Sequence, residues 1–368
     1  MKIFVTIPKE YAGCGYYRQY QPHIHLADDM EVVYSEGTYD EKGDFAVEAD
    51  MIHFHKCYFS IGAALEAKQK GLPVIVDFDD WWTLDSEHIF YKDYQRDNST
   101  AGLHNMLRMA DYVTVTTERL AIEARKFNKN VTVLPNAFDP SVMRGERVKE
   151  DKIIFGYLGG HCHTKDVEQL RGVNNRLSQE FNNYKFRLMG MDHSPIYNHY
   201  ASVLSGEGHL AGTHFDWMPK ADIWHYHDLY NYLDVSLVPL VGSKFNGLKS
   251  ELKLIEAGFY KKAVIVDNVH PYRDLIKHKE NAMVVNKYTD WYKHAKYLLQ
   301  NPNAITDLGE ALYETVQPYH IKEITKKRLN LYKDVFKNNY NDGSHGRSGV
   351  QDINKHKLQR TPVISENF

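Results

Sequence analysis

The residues best placed to do chemistry lie in one stretch, Phe245-Asn246-Gly247-Leu248-Lys249-Ser250-Glu251-Leu252-Lys253-Leu254-Ile255-Glu256-Ala257-Gly258. Read as a helix at about 100° per residue, Lys249, Lys253 and Glu256 share an arc of roughly 60°, and Leu252, Ile255 and Phe259 form the neighbouring apolar face. Lys249 and Glu256 then stand about 10 Å apart along the axis. A cation at one end and a carboxylate at the other suit a ligand with phosphate at one end and hydroxyls at the other, such as a nucleoside diphosphate. Free N–H groups at the helix start, near Lys249 and Ser250, would favour the phosphates, and Glu256 would accept hydrogen bonds from ribose hydroxyls. The same spacing also describes a solvated face held by a Lys253–Glu256 pair, which requires no ligand.

Two other patterns invite a site. Gly13-Cys14-Gly15 follows an apolar run, as a dinucleotide-binding turn would. It lacks the third glycine of that fingerprint, and no clear acidic residue ends a second strand at the expected distance. Histidine occurs in four His-x-His pairs, His23/His25, His53/His55, His161/His163 and His225/His227, where composition predicts roughly one. On a strand, His53, His55 and Cys57 would share a face that could hold zinc if a fourth ligand were supplied.

Short apolar runs alternating with helical stretches position these residues. Lys2 to Ile7 runs into the Gly13–Gly15 loop, and further strands are expected at residues 31–35, 51–55, 74–78, 112–116 and 131–134, with helices at 61–70 and 118–127. After a polar link at 144–151 the pattern restarts. Ile153 to Leu158 runs into Gly159-Gly160, then come strands at 186–189, 214–217, 234–239, 263–267 and 282–285, with helices at 166–181, 249–260 and 291–299. The expected fold class is α/β, with two facing Rossmann-like domains and an interdomain cleft where the loops beyond the strand ends meet. The expected domains are 1–145 and 151–320, followed by a crossing helix at 321–338 and a disordered tail at 339–368.

Several segments together resemble a known family. Lys249-Ser250, Lys253 and Glu256-Ala257-Gly258, followed by Val264-Ile265-Val266-Asp267 and Pro271-Tyr272-Arg273, look like the donor-site segment of retaining GT-B nucleotide-sugar glycosyltransferases, the group often called family 4. Gly159-Gly160 with His163 and Asp166 resembles the Gly loop opening their second domain, and Val133-Leu134-Pro135-Asn136-Ala137 the segment leaving their first. Asp50-Met51-Ile52-His53-Phe54-His55 resembles a strand ending in their catalytically important histidine. Gly13, Gly15 and Arg18 resemble their first Gly loop and the helix behind it. Order and spacing agree over roughly residues 1 to 335.

The resemblance implies transfer of a sugar from a nucleoside diphosphate sugar to a hydroxyl acceptor, with retention of configuration and no cofactor or metal. His55 and Lys249 would be catalytic. Gly15, Gly159, Gly160, His163, Asp166, Lys249, Ser250, Lys253 and Glu256 would bind the donor, and Arg18, Asp79 and Asp80 would face the acceptor. Simpler roles exist for several: Arg18 as a brace for the first helix, Asp166 as an acid in a first helical turn, His55 as a histidine satisfied by backbone. One departure is clear. Many members carry two glutamates eight positions apart, and Leu248 stands where the first would be. Asp77-Phe78-Asp79-Asp80 resembles the metal signature of GT-A transferases, but those have one sheet domain and this chain has two α/β halves.

The competing readings are a sugar-nucleotide epimerase, for which no general acid/base pair is found, and a nucleotide-sugar or carbohydrate-binding protein without turnover, motivated by Leu248. The 368 residues are 43% hydrophobic and 25% charged with a formal net charge of −3, which excludes wholesale disorder and any global attraction to nucleic acid. Nucleic acid therefore enters only as a possible acceptor, beside glycans, lipid carriers and proteins. Three separated cysteines and the absence of a long apolar run predict a cytoplasmic protein that does not insert into membranes.

Overall fold

The computed structural model describes residues 1–7, 13–36, 49–56, 61–206 and 213–341, so Cys57 and the tail beyond Asn341 lie outside the described residues. In the first half the strands are β1 (Lys2–Ile7), β2 (Glu31–Glu36), β3 (Met51–His55), β4 (Val74–Phe78), β5 (Tyr112–Val115) and β6 (Val131–Val133). In the second they are β7 (Ile153–Leu158), β8 (Tyr184–Met189), β9 (Phe215–Met218), β10 (Val235–Val238), β11 (Ala263–Asp267) and β12 (Met283–Val285). The helices are α1 (Gln21–Ile24), α2 (Ile61–Gln69), α3 (Tyr91–Arg96), α4 (Ser99–Met109), α5 (Glu118–Ala124), α6 (Thr164–Glu168), α7 (Val173–Leu177), α8 (Pro195–Ser205), α9 (Leu252–Phe259), α10 (Thr289–Gln300), α11 (Asn303–Val316) and α12 (Ile321–Asn341).

All strand pairs are parallel, in two six-stranded sheets ordered β2-β1-β3-β4-β5-β6 and β12-β11-β10-β7-β8-β9. Strands β3, β4 and β11 are buried at every residue, and helices cover both faces, hence their near-continuous apolar runs. In the first half, Ile52, Phe54, Val76 and Phe78 face α2, α4 and α5, while Ile3, Val5, Met51 and Ile75 join Leu329, Tyr332 and Val335 of α12. The chain thus returns to its first domain, as a crossing helix must.

The strand order reverses between β1 and β3 in one sheet and between β7 and β10 in the other. Ligands of doubly wound sheets sit in the crevice beyond the strand ends at these switch points. The Gly13–Gly15 turn and His55 flank the first, and Gly159-Gly160 and the Val241–Glu251 loop flank the second.

The helix expected at 166–181 is two pieces, α6 and α7, because Gly172 adopts φ +75°, which ends the ladder. Three long helices, α4, α8 and α11, were not expected. For α8 a signal existed, since Ser194 accepts from the Tyr197 N–H at 3.0 Å and Pro195 fills the first helical position.

Candidate active site

In the second half the turn after β7 is built around glycine. A Cβ on Gly159 would lie 2.7 Å from the Tyr157 hydroxyl and 2.8 Å from Lys253 Nζ, so no other residue fits without displacement. Beside it Gly160 faces open space. Lys253 Nζ donates to the Leu158 carbonyl at 2.7 Å and fixes that turn from beneath, and burial lowers the lysine pKa. Asp166 does related work. Its carboxylate pairs with His163 Nδ1 at 2.7 Å and accepts from the Val241 N–H at 2.7 Å and Asn246 Nδ2 at 3.2 Å, tying the loop after β7 to the loop after β10. Burial first, and the Lys249 charge second, lower the His163 pKa to about 4, so this imidazole is neutral near pH 7.

Lys249 is not on the face of α9. A 3-10 turn covers Asn246–Leu248, Lys249 is extended at φ −67° and ψ 173°, and α9 starts only at Leu252. The helical arc joining Lys249 to Glu256 is therefore corrected, and Lys253 and Glu256 alone share the helix. The cause is tertiary. Leu248 is buried in the core of the first half, Arg119 Nε donates to the Gly247 carbonyl at 3.3 Å, and Asn136 Nδ2 donates to Ser250 Oγ at 2.7 Å. These anchors hold residues 247–250 off the helical path. Ser250 is consequently engaged by the interdomain connection. The Lys249 ammonium lies 5.0 Å from the Phe245 ring, and no carboxylate among the described residues pairs with it.

Glu256 is 2% exposed. Its carboxylate accepts from the hydroxyl of Tyr17, a residue of the first half, and from Tyr230 at 3.0 Å; His227 Nε2 lies 2.7 Å from the same Tyr17 hydroxyl. Both oxygens are engaged and the carboxylate is buried, so a ribose hydroxyl would reach Glu256 only if this packing opened. Burial raises its pKa, and the two tyrosine hydrogen bonds oppose that shift.

The first half contributes a polar cluster under its own switch point. Arg18 is 1% exposed and grips Asp77 through Nε at 2.9 Å and a terminal nitrogen at 2.6 Å, while its other nitrogen donates to the Leu134 carbonyl at 2.7 Å and to Asn136 Oδ1 at 3.2 Å. Four of its five N–H groups are committed to the fold, which fits the bracing role better than the acceptor-side one. Burial alone would raise the Asp77 carboxyl, but Arg18 holds it well below the ordinary range. His55 ends β3 with Nδ1 3.3 Å from Asp77 and Nε2 3.5 Å from Asp79, and Lys56 Nζ lies 2.5 Å from Asp79 and 3.2 Å from Asp80. Gly15 is buried at the start of a π-helical turn, Gly15–Tyr20, that carries Tyr17 and Arg18. The thiol of Cys14 sits against Asp79, and burial first, then that carboxylate, push its pKa well up.

The two halves are in contact along the cleft. Besides Tyr17–Glu256 and Asn136–Ser250, Lys165 pairs with Glu87 and Lys244 lies 3.4 Å from Glu123. Sequence reasoning did not find Cys14, Tyr17, Lys56 or Tyr230 as site residues. Nothing in the order of residues links Tyr17 to a carboxylate 239 positions later.

Two Rossmann-like sheets with facing strand ends, a glycine turn after the first strand of the second and a final helix crossing back define the architecture. The chain has the GT-B fold. Solved structures agree with that assignment throughout. A sucrose-phosphate synthase from Thermosynechococcus elongatus superposes with a TM-score of 0.69 at 15% identity, over 92% of this chain and 99% of that one. A glycosyltransferase from Rickettsia africae gives 0.64 at 14% over 92% and 99%, and HepE from Anabaena in complex with UDP and glucose gives 0.63 at 13% over 90% and 99%. No sequence-family model matches this GT-B chain, and no curated protein is similar to it in sequence. Among the described residues no helix is long and apolar enough to cross a membrane.

Proposed function

We propose that this protein is a glycosyltransferase that moves a sugar from a nucleoside diphosphate donor to a hydroxyl acceptor, with retention of configuration and without a metal at the diphosphate. One observation carries the reading: Lys249, a cation with no carboxylate partner among the described residues, stands at the switch point of the second sheet close enough to His163 to depress its pKa. A half-buried ammonium in that position calls for an anion. As the sugar leaves, charge builds on the β-phosphate, and Lys249 with the N–H groups near the open Gly160 would stabilise that charge more than the ground state. Neighbours of the same fold support the donor class, since HepE is described in complexes with UDP, with UDP and glucose, and with UDP-glucose.

His55, at the facing switch point, would orient the sugar or the acceptor through Nε2, its Nδ1 being set by Asp77. Asp79 and Asp80 would line the same rim, where Lys56 pairs with both and leaves one negative charge over. The acceptor is any hydroxyl compound that fits between the rims.

A second reading, binding of nucleotide sugars without turnover, is favoured by Leu248 in the first half's core and by Tyr17 on Glu256. Incubation with UDP-, GDP-, dTDP- and CDP-sugars in water separates the two. Slow release of free nucleoside diphosphate, abolished in Lys249→Ala, supports transfer; thermal stabilisation by a donor with no release supports binding alone, and neither effect removes the donor-site reading.

A further inference from the structure

We propose that Cys14, His55 and Asp79 form a binding site for a single divalent cation of the zinc class. The site lies in the first half, and an ion bound there would take the His55 Nε2 that the transfer reading gives to the sugar or acceptor. One ligand atom from each of the three residues lies within 4.8 Å of the others. They come from three segments that meet at the switch point of the first sheet: the turn after β1, the end of β3, and the residues after β4. The ligands of a tetrahedral zinc are roughly 3.3–3.8 Å apart, so side-chain adjustment of about 1 Å closes the set.

A second observation points independently to a ligand. His55 is 8% exposed, and its Nδ1 faces Asp77 while its buried Nε2 has no hydrogen-bond partner. In the tautomer whose Nδ1 proton points at Asp77, the Nε2 lone pair faces Asp79 Oδ1 at 3.5 Å, an oxygen that Lys56 Nζ approaches to 2.5 Å, and only a cation between the two would satisfy Nε2. This is the carboxylate–histidine arrangement that orients an imidazole toward a metal. Charge balance agrees. Arg18 and Lys56 set against Asp77, Asp79 and Asp80 leave one negative charge, and a divalent ion that replaces the Cys14 thiol proton brings the cluster to neutrality. On binding, the ion takes the Asp79 oxygen from Lys56, which keeps Asp80. The thiolate makes the site soft, and so selects zinc-class ions over magnesium or calcium.

Cobalt(II) titrated into the full-length protein tests this, because a thiolate bound to cobalt gives a near-ultraviolet charge-transfer band. The expected result is one cobalt per chain, with a band that zinc abolishes and magnesium leaves alone. Cys14→Ser should remove the band, Cys162→Ala should keep it, and His55→Gln or Asp79→Asn should weaken binding at least about tenfold. Retained far-ultraviolet circular dichroism shows that each variant is folded, and Cys14→Ala serves if Cys14→Ser is not. No band in the unmodified chain, or a band that survives loss of Cys14, overturns the proposal.

Discussion

The hydroxyl of Tyr17, on the π-helical turn of the first half, donates to the carboxylate of Glu256, on α9 of the second, and both side chains are buried. The residue expected to hold a ribose therefore holds a tyrosine from the opposite domain, which presents the same kind of hydroxyl. Tyr17 thereby bridges the two halves, and a ribose hydroxyl at Glu256 would compete with it for one acceptor.

Removing that hydroxyl should act in opposite directions on stability and on binding. Tyr17→Phe is expected to destabilise the fold by about 1.5–3 kcal/mol, the range for a hydrogen bond to a charged group, and to tighten binding of the nucleoside diphosphate. Urea unfolding and calorimetric titration with UDP and GDP measure the two effects. Weaker nucleotide binding in this variant would show that Tyr17 supports the pocket and does not occupy it.

Burial raises the Glu256 pKa above its unfolded value, to about 6. A raised folded pKa means that the group's contribution to stability is complete below its unfolded pKa and is lost as pH rises through the folded one. Glu256 should therefore cost the native state on the order of 1–2 kcal/mol at pH 7 relative to pH 4. Glu256→Gln keeps the shape and should remove that part of the slope in denaturant midpoints measured from pH 4 to 7.5.

Lys249 carries no structural partner that its loss would strand. Lys249→Ala should leave the melting temperature within about 2 °C, while donor turnover falls by roughly 10²–10³, the usual cost of one transition-state donor. Steady-state release of nucleoside diphosphate, with Lys249→Arg as a partial rescue, is the measurement.

Arg18 should behave in the reverse manner. Arg18→Ala strands the buried Asp77 carboxylate and is expected to cost about 3–5 kcal/mol. Arg18→Lys cannot restore the two-pronged grip on Asp77 together with the Leu134 and Asn136 bonds. Guanidinium unfolding reads both, and loss of turnover without loss of stability would return Arg18 to the active site.

The cores of both domains were legible in the residue order. Strands β3, β4 and β11 are buried along their whole length and mostly apolar, interrupted by His53, His55, Asp77 and Asp267, because parallel strands covered on both faces have no wet side, and that pattern survives without knowledge of neighbours. Glycine turns at the strand ends were legible for the same local reason. What tertiary structure alone decided is which polar groups meet. Lys249 left the helix because Leu248 is held in the other domain's core. Arg18 became a brace because Asp77, Leu134 and Asn136 surround it. Cys14, His55 and Asp79 converge only because β1, β3 and β4 lie side by side in the sheet. Periodicity is a property of one segment against water, whereas a hydrogen bond or an ion pair depends on the distance between two segments, and that distance exists only once the chain has folded.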